Sequence, residues 1–173
     1  MIGLPKRAAR VVPHDPEWRQ EFVAEAERLR EALGQADPEV LHIGSTAMPG
    51  MAAKPVIDLM VAVESLEKGR SLVPLLEAMG YTYLPDEPVP GRVYLEKGPI
   101  TNRTHNLSLS VPGSDFWEEK LVFIHYMETH PEAAEAYVKL KRELAAKYPE
   151  DRPSYTAGKH DFIQNILRLA GFK

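Results

Sequence analysis

Residues able to handle phosphate crowd into one stretch, 39–63, EVLHIGSTAMPGMAAKPVIDLMVAV. It reads as two apolar strands joined by a loop. Gly44, Ser45 and Thr46, at the end of the first strand, can offer backbone amides and two hydroxyls to phosphate oxygens, and Lys54 adds a positive charge. Gly-Ser-Thr also makes ordinary turns, so the triplet alone says little. Asp58 strengthens the pattern. In the second strand Ile57, Leu59, Val61 and Val63 share one face by the period-2 rule, and Val56, Asp58, Met60 and Ala62 share the other. An acid on an apolar strand needs a cation, several donors or solvent beside it, because an unpaired buried carboxylate would take a proton instead. A carboxylate about a dozen residues after the turn, on the neighbouring strand, is where a divalent cation such as magnesium could bridge protein and phosphate oxygens.

The surrounding elements must hold these residues together. Asp15-Pro16 predicts a helix from Pro16 to Leu33, with Trp18, Phe22, Ala26, Leu29 and Leu33 inward and Glu21, Glu25, Arg28 and Arg30 on its wet side. Gly34 ends it, and Asp37-Pro38 turns the chain into a strand over Glu39–Ile43. A helix capped by Ser65 follows, running toward Met79 and kinked at Pro74. Tyr81–Leu84 reads as a short strand, and Arg92–Lys97 with Ile100–Val111 as a hairpin across Gly98-Pro99. If the last strand lies beside the Asp58 strand, Asn106 and Ser108 point the way Asp58 does, while His105 faces the core. Three helices complete the chain, from Ser114 or Asp115 to Thr129, from Pro131 to Tyr148 and from Pro153 onward. Strands early and helices late make an α+β pattern.

Other side chains are weaker candidates. His42 precedes the turn and could contact a ligand or metal, although a lone strand histidine is commonly a hydrogen-bonded structural residue. Among the cations, Lys54 comes first, Arg103 second, and Arg92 could reach the same cleft. Tyr155 and Lys159 share a helix face at i,i+4. The run Lys139, Lys141, Arg142, Lys147, balanced by Glu132, Glu135 and Glu143, reads as a solvated face.

Composition narrows the classes. A chain of 173 residues suits one domain, 1–173, with a full core. A formal charge of -4 argues against broad nucleic-acid binding. The absence of cysteine removes disulfides and thiolate sites. The start, MIGLPKRAARVVPHD, shows no signal peptide, and no later run is apolar enough to span a membrane, so a cytoplasmic location is the expectation. Nothing here sets the oligomeric state.

The segment HIGSTAMPGMAAKPVIDLMV resembles the signature of the GrpB family, whose members are assigned to the nucleotidyltransferase superfamily fold. VVPHDPEW, NRTHNLSL and HPEAAEAYVKLKRELAAKYPEDRPSYTAGKHDFI resemble further family blocks in family order, so the likeness runs from Val11 to Ile163. It implies a nucleotidyltransferase-like mixed sheet with helices packed on one side and a helical C-terminal part. In active enzymes of that fold the Gly-Ser step holds a nucleoside triphosphate, two acids spaced by one residue bind Mg, and a third acid completes the site. Gly44 and Ser45 match the first element and Asp58 the first acid. Met60, a poor ligand for a hard cation, stands where the second acid belongs, and the third falls around Asn106 or Ser108. Two-metal transfer needs shared carboxylates between ions about 3.5–4 Å apart, so it is not expected. The resemblance therefore implies a nucleotide or other phosphorylated small molecule as ligand. If there is catalysis, one cation would sit at Asp58, Ser45 and Thr46, and an acceptor hydroxyl would attack the α-phosphate. The rival reading is a non-catalytic ligand- or partner-binding module, and a third is a metal site joining His42, His105 and Asp58. Similar domains fused to dephospho-CoA kinase imply an association with nucleotide or coenzyme metabolism.

Overall fold

The computed structural model describes residues 1–34 and 38–173, and the turn expected at Asp37 lies outside the described residues. The Asp15 carboxylate accepts the amide of Glu17 at 3.0 Å, and α1 (Glu17–Leu33) runs from there to Gly34. Gly34 adopts a left-handed conformation and returns its amide to the Arg30 carbonyl. Trp18, Ala26, Leu29 and Leu33 are buried as the spacing predicts. Glu25 is a correction. Expected on the wet side, it is fully buried and accepts bonds from Tyr81 Oη at 2.7 Å, Lys97 Nζ at 2.6 Å and Arg28 Nη1 at 2.9 Å. Tyr81 and Lys97 face each other across two strands, and that pair supplies the donors a buried carboxylate needs.

The sheet has the order β1-β2-β5-β4-β3, with β1 Val40–Ile43, β2 Ile57–Ala62, β3 Tyr81–Tyr83, β4 Val93–Lys97 and β5 His105–Ser110. β2 and β5 are parallel, and the other pairs are antiparallel. The expected hairpin is present as β4 and β5, but β5 starts at His105 and not at Ile100. Residues 100–104 form the connection instead, where the Arg103 backbone pairs with Leu4. Parallel register sets Asp58 opposite Asn106 and Met60 opposite Ser108, which puts all four on one face. Ile57, Leu59, Val61, Leu107 and Leu109 line the other face in the main core with Trp18 and Leu29.

That main-core face is covered by α1 together with α2 (Leu66–Ser71) and α3 (Val73–Ala78). Ser65 caps α2, accepting the amide of Lys68 at 3.1 Å, and the chain breaks at Leu72 ahead of Pro74. The helical C-terminal part is α4 (Asp115–Thr129), α5 (Pro131–Lys147), α6 (Arg152–Ala157) and α7 (His160–Leu169). The single last helix expected from Pro153 is split at Gly158-Lys159. These helices lie over the Asp58 face: Phe116 and Trp117 of α4 pack on Ile43 and Met60, and Met127, Tyr137 and Ile166 enclose Met48 and Met51 of the loop. The sheet is thus covered on both faces, and the functional stretch is caught between β2 and the C-terminal helices. No helix among the described residues is long and apolar enough to cross a membrane.

Candidate functional site

Between the Asp58 face and the C-terminal helices lies a cavity of about 250 Å³. Its floor holds Asp58, Asn106 and Ser108, and its near wall is the turn Gly44, Ser45, Thr46 with Lys54. Gly44 is there for a steric reason. Its φ of 72° is left-handed, and a Cβ at that position would stand 2.6 Å from Asp58 Oδ2. Only a residue without a side chain lets the backbone pass this close to the carboxylate.

The acid is oriented by its neighbour. Asn106 Nδ2 donates to Asp58 Oδ1 at 2.7 Å. A carboxylate only accepts, so the amide must turn its NH₂ that way, and Asn106 Oδ1 is left buried without a partner among the described residues. Ser108 accepts from Arg92 Nη1 at 3.2 Å, and Arg92 lies 4.0 Å over the Tyr94 ring while pairing with Glu87 at 3.0 Å.

The far wall is not legible in the sequence alone. Lys120 of α4, Lys141 of α5 and Lys159 at the start of α7 all reach the cavity, and so does Arg152 of α6. Lys141, expected on a solvated face, is 2% exposed. Its ammonium donates to Ser45 Oγ at 3.0 Å and to the Ala52 carbonyl at 2.6 Å, bracing the loop at two points. Its signal was helical spacing: Lys141 lies four residues after the buried Tyr137, on the inward stripe of α5. Lys54 and Lys159 each stand 4.8 Å from the centre of the Tyr155 ring.

Among the described residues Lys54, Lys120, Lys141 and Lys159 make no ion pair, and their charges suffer for it. Burial, then Lys159 and Arg142, push the Lys141 ammonium down to about 7. Burial, with smaller contributions from Lys120 and Arg152 and against the pull of Asp58, brings Lys159 down to about 8. Lys54 is held well below its ordinary value by burial first and then by Lys159, Arg103 and Arg152. Burial and Arg92 lower Lys120. Such a pocket is short of negative charge.

Three expected participants lie elsewhere. Arg103 is buried with Nη1 3.1 Å from Glu96 Oε1 and does not line the cavity. His42 does not line it either, because on β1 it is Ile43 that is paired with Asp58 and His42 faces the other way. Its Nε2 meets Thr46 Oγ1 at 2.9 Å, its ring stacks on Phe22 at 4.6 Å, and burial holds it at about 4. His105 faces the main-core side, with Nδ1 2.9 Å from Thr104 Oγ1. His42, His105 and Asp58 therefore do not converge.

The described residues offer a divalent cation a sparse set of donors in this cavity. Among the described residues no three His, Asp or Glu side chains gather to hold a metal. Asp58 has one oxygen committed to Asn106, and Met60, fully buried, fills the place of the second acid. Mg²⁺ is bound through one or two carboxylates plus phosphates and water, and lysines already occupy the surroundings.

The family described as "GrpB protein" matches residues 8–169. The chain is 33% identical over 171 residues to the glutamate-rich protein GrpB of Alkalihalophilus pseudofirmus, covering 96% of this chain and 98% of that one. It is 36% identical over 160 residues to the UPF0157 protein YqkA of Bacillus subtilis, covering 92% of this chain and 46% of the relative. A dephospho-CoA kinase of Mycolicibacterium paratuberculosis is 29% identical, with 96% and 47% covered. The chain thus spans about half the length of these last two relatives. The crystal structure of GrpB from Enterococcus faecalis superposes with a TM-score of 0.84 at 36% identity, covering 93% of this chain and 96% of that one. The Cid1 poly(U) polymerase, in its Mg 3'-dATP-bound structure, gives a TM-score of 0.56 at 17% identity, with 86% and 49% covered, a likeness of fold.

Proposed function

We infer that this chain, which belongs to the GrpB family and has a nucleotidyltransferase-like fold, binds the phosphates of a nucleotide or other phosphorylated small molecule in the cavity over Asp58. The observation that carries this reading is the far wall: four lysines that make no ion pair among the described residues converge from the loop, α4, α5 and α7 on one cavity. A phosphate there replaces lost solvation with charge-assisted hydrogen bonds. Ser45 offers a hydroxyl beside Lys141, while Lys54 and Lys159 take the outer oxygens. Asn106 Oδ1, buried and unpaired, is an acceptor for a ligand hydroxyl or amine.

The site favours ligand binding without nucleotidyl transfer. Met60 favours it, because a buried thioether two residues from Asp58 on the same strand face stands where metal-assisted transfer uses a second acid. The test is a thermal-shift series with phosphate, pyrophosphate, tripolyphosphate and nucleoside mono-, di- and triphosphates, on wild type and Lys159→Met. A ligand at one hundred times its Kd stabilises by about 2.7 kcal/mol, roughly 5–10 °C in Tm for a domain of this size. That gain should shrink in Lys159→Met. No shift with any phosphate compound at millimolar concentration, or an equal shift in the variant, contradicts the reading.

A further inference from the structure

The cavity's size and charge, taken together, specify the occupant more closely. We propose that it takes a polyphosphate group in its metal-free form, so that magnesium opposes binding. This rests on the phosphate-binding reading above and goes beyond it in the sign of the metal effect.

Volume sets the first limit. About 250 Å³ is below the range of roughly 300–1,000 Å³ that encloses a whole drug-sized ligand. A chain of phosphates fits inside, and any nucleoside attached to it lies at the mouth. Charge sets the second. Arg92 and Arg152 are engaged by Glu87 and Glu96, at 3.0 and 2.7 Å, which leaves Lys54, Lys120, Lys141 and Lys159 to face the ligand. The acids opposing them in the lining are Asp58 and Glu119. Polyphosphate stripped of metal presents its full charge to these lysines, whereas the magnesium complex presents two charges fewer. The metal itself would have to settle beside Asp58, among Lys54 and Lys159, where like charges repel it.

Placement sets the third. The four lysines come from different walls, with Lys141 at Ser45, Lys54 and Lys159 flanking Tyr155, and Lys120 above them from α4. They can meet successive phosphates as well as a single one. In this arrangement Asp58 is a negative charge that the ligand must tolerate, and it orients Asn106. Its removal should tighten binding, the reverse of what a metal-ligating carboxylate would show.

The experiment is calorimetric titration of tripolyphosphate and, separately, of ATP and AMP into the full chain, once with EDTA and once with excess Mg²⁺. Tripolyphosphate should bind in EDTA, and Mg²⁺ should weaken it by about fivefold or more. Asp58→Asn should bind tripolyphosphate several-fold more tightly than wild type, in EDTA. ATP binding at least as tightly as tripolyphosphate, with AMP much weaker, supports a nucleotide tail as the source, and tripolyphosphate binding more tightly than ATP supports a free polyphosphate. Binding that appears only with Mg²⁺, or is abolished by Asp58→Asn while the variant keeps its wild-type circular dichroism, overturns the proposal and leaves the phosphate site standing. Absence of binding in both buffers overturns the phosphate reading itself.

Discussion

Lys141 Nζ lies 3.0 Å from Ser45 Oγ, joining α5 to the Gly44-Ser45 turn across 96 residues of sequence. The same ammonium holds the Ala52 carbonyl, so one side chain both shapes the turn and charges the cavity behind it. Lys141→Met keeps most of the packing volume and removes the charge. Because a hydrogen bond to a charged group contributes about 1.5–3 kcal/mol, we predict a loss of roughly tenfold or more in tripolyphosphate affinity, read by calorimetry. The variant should remain folded by circular dichroism.

The lysine cluster also sets a pH dependence. Lys141 at about 7 and Lys159 at about 8 bind protons less readily folded than unfolded, where lysine titrates near 10.5. Between about pH 7 and pH 9.5 the unfolded chain therefore holds more protons, and stability of the free protein rises with pH through that window. It falls as pH drops through the folded values. Lys141→Met should flatten the rise in Tm. Phosphate binding runs the other way: it needs charged lysines and takes up protons, so affinity should weaken as pH rises over the same window.

Gly44→Ala tests how tightly the turn and the acid are fitted together. The backbone there has φ 72° and ψ -171°, a region open essentially to glycine, and the new methyl would press on Asp58 Oδ2. Strain of this kind costs about 1–3 kcal/mol. Thermal unfolding should show a loss of roughly 3–10 °C, together with weaker phosphate binding.

Glu96 anchors the cavity's outer frame. Its carboxylate meets Arg152 at 2.7 Å, Arg103 at 3.1 Å and Lys6 at 3.2 Å. Burial alone would raise its carboxyl, but the bond from Arg152 and the charges of Arg152 and Arg103 outweigh it and hold the group at about 2. Glu96→Gln leaves buried guanidinium groups uncompensated and should destabilise by about 3–5 kcal/mol in urea unfolding. In the wild type the same contribution is complete above about pH 4.5 and is lost as pH falls toward 2.

Local rules carried much of the fold. Strand parity put Asp58, Asn106 and Ser108 on one face, and the caps at Asp15, Ser65 and Ser114 placed three helix starts to within a residue or two. Parity could also have excluded His42, since Ile43 alternates with it and is the residue paired with Asp58. What stayed hidden were charges whose partners are far away in the chain. Glu25 is buried because Lys97 waits 72 residues on, and Lys141 because Ser45 lies 96 residues back. On a helix rich in Lys and Glu, a buried lysine looks like its solvated neighbours until the opposing element is known. Lys159 was visible only as the partner of Tyr155, and the break at Gly158 that turns it toward the cavity depends on how α7 packs.

A crystal structure grown with tripolyphosphate in EDTA addresses the site most directly. Phosphate density is expected inside the cavity, against Ser45 Oγ and within hydrogen-bond reach of Lys54 and Lys159. An empty cavity at saturating ligand, or phosphate density only outside it, would contradict this.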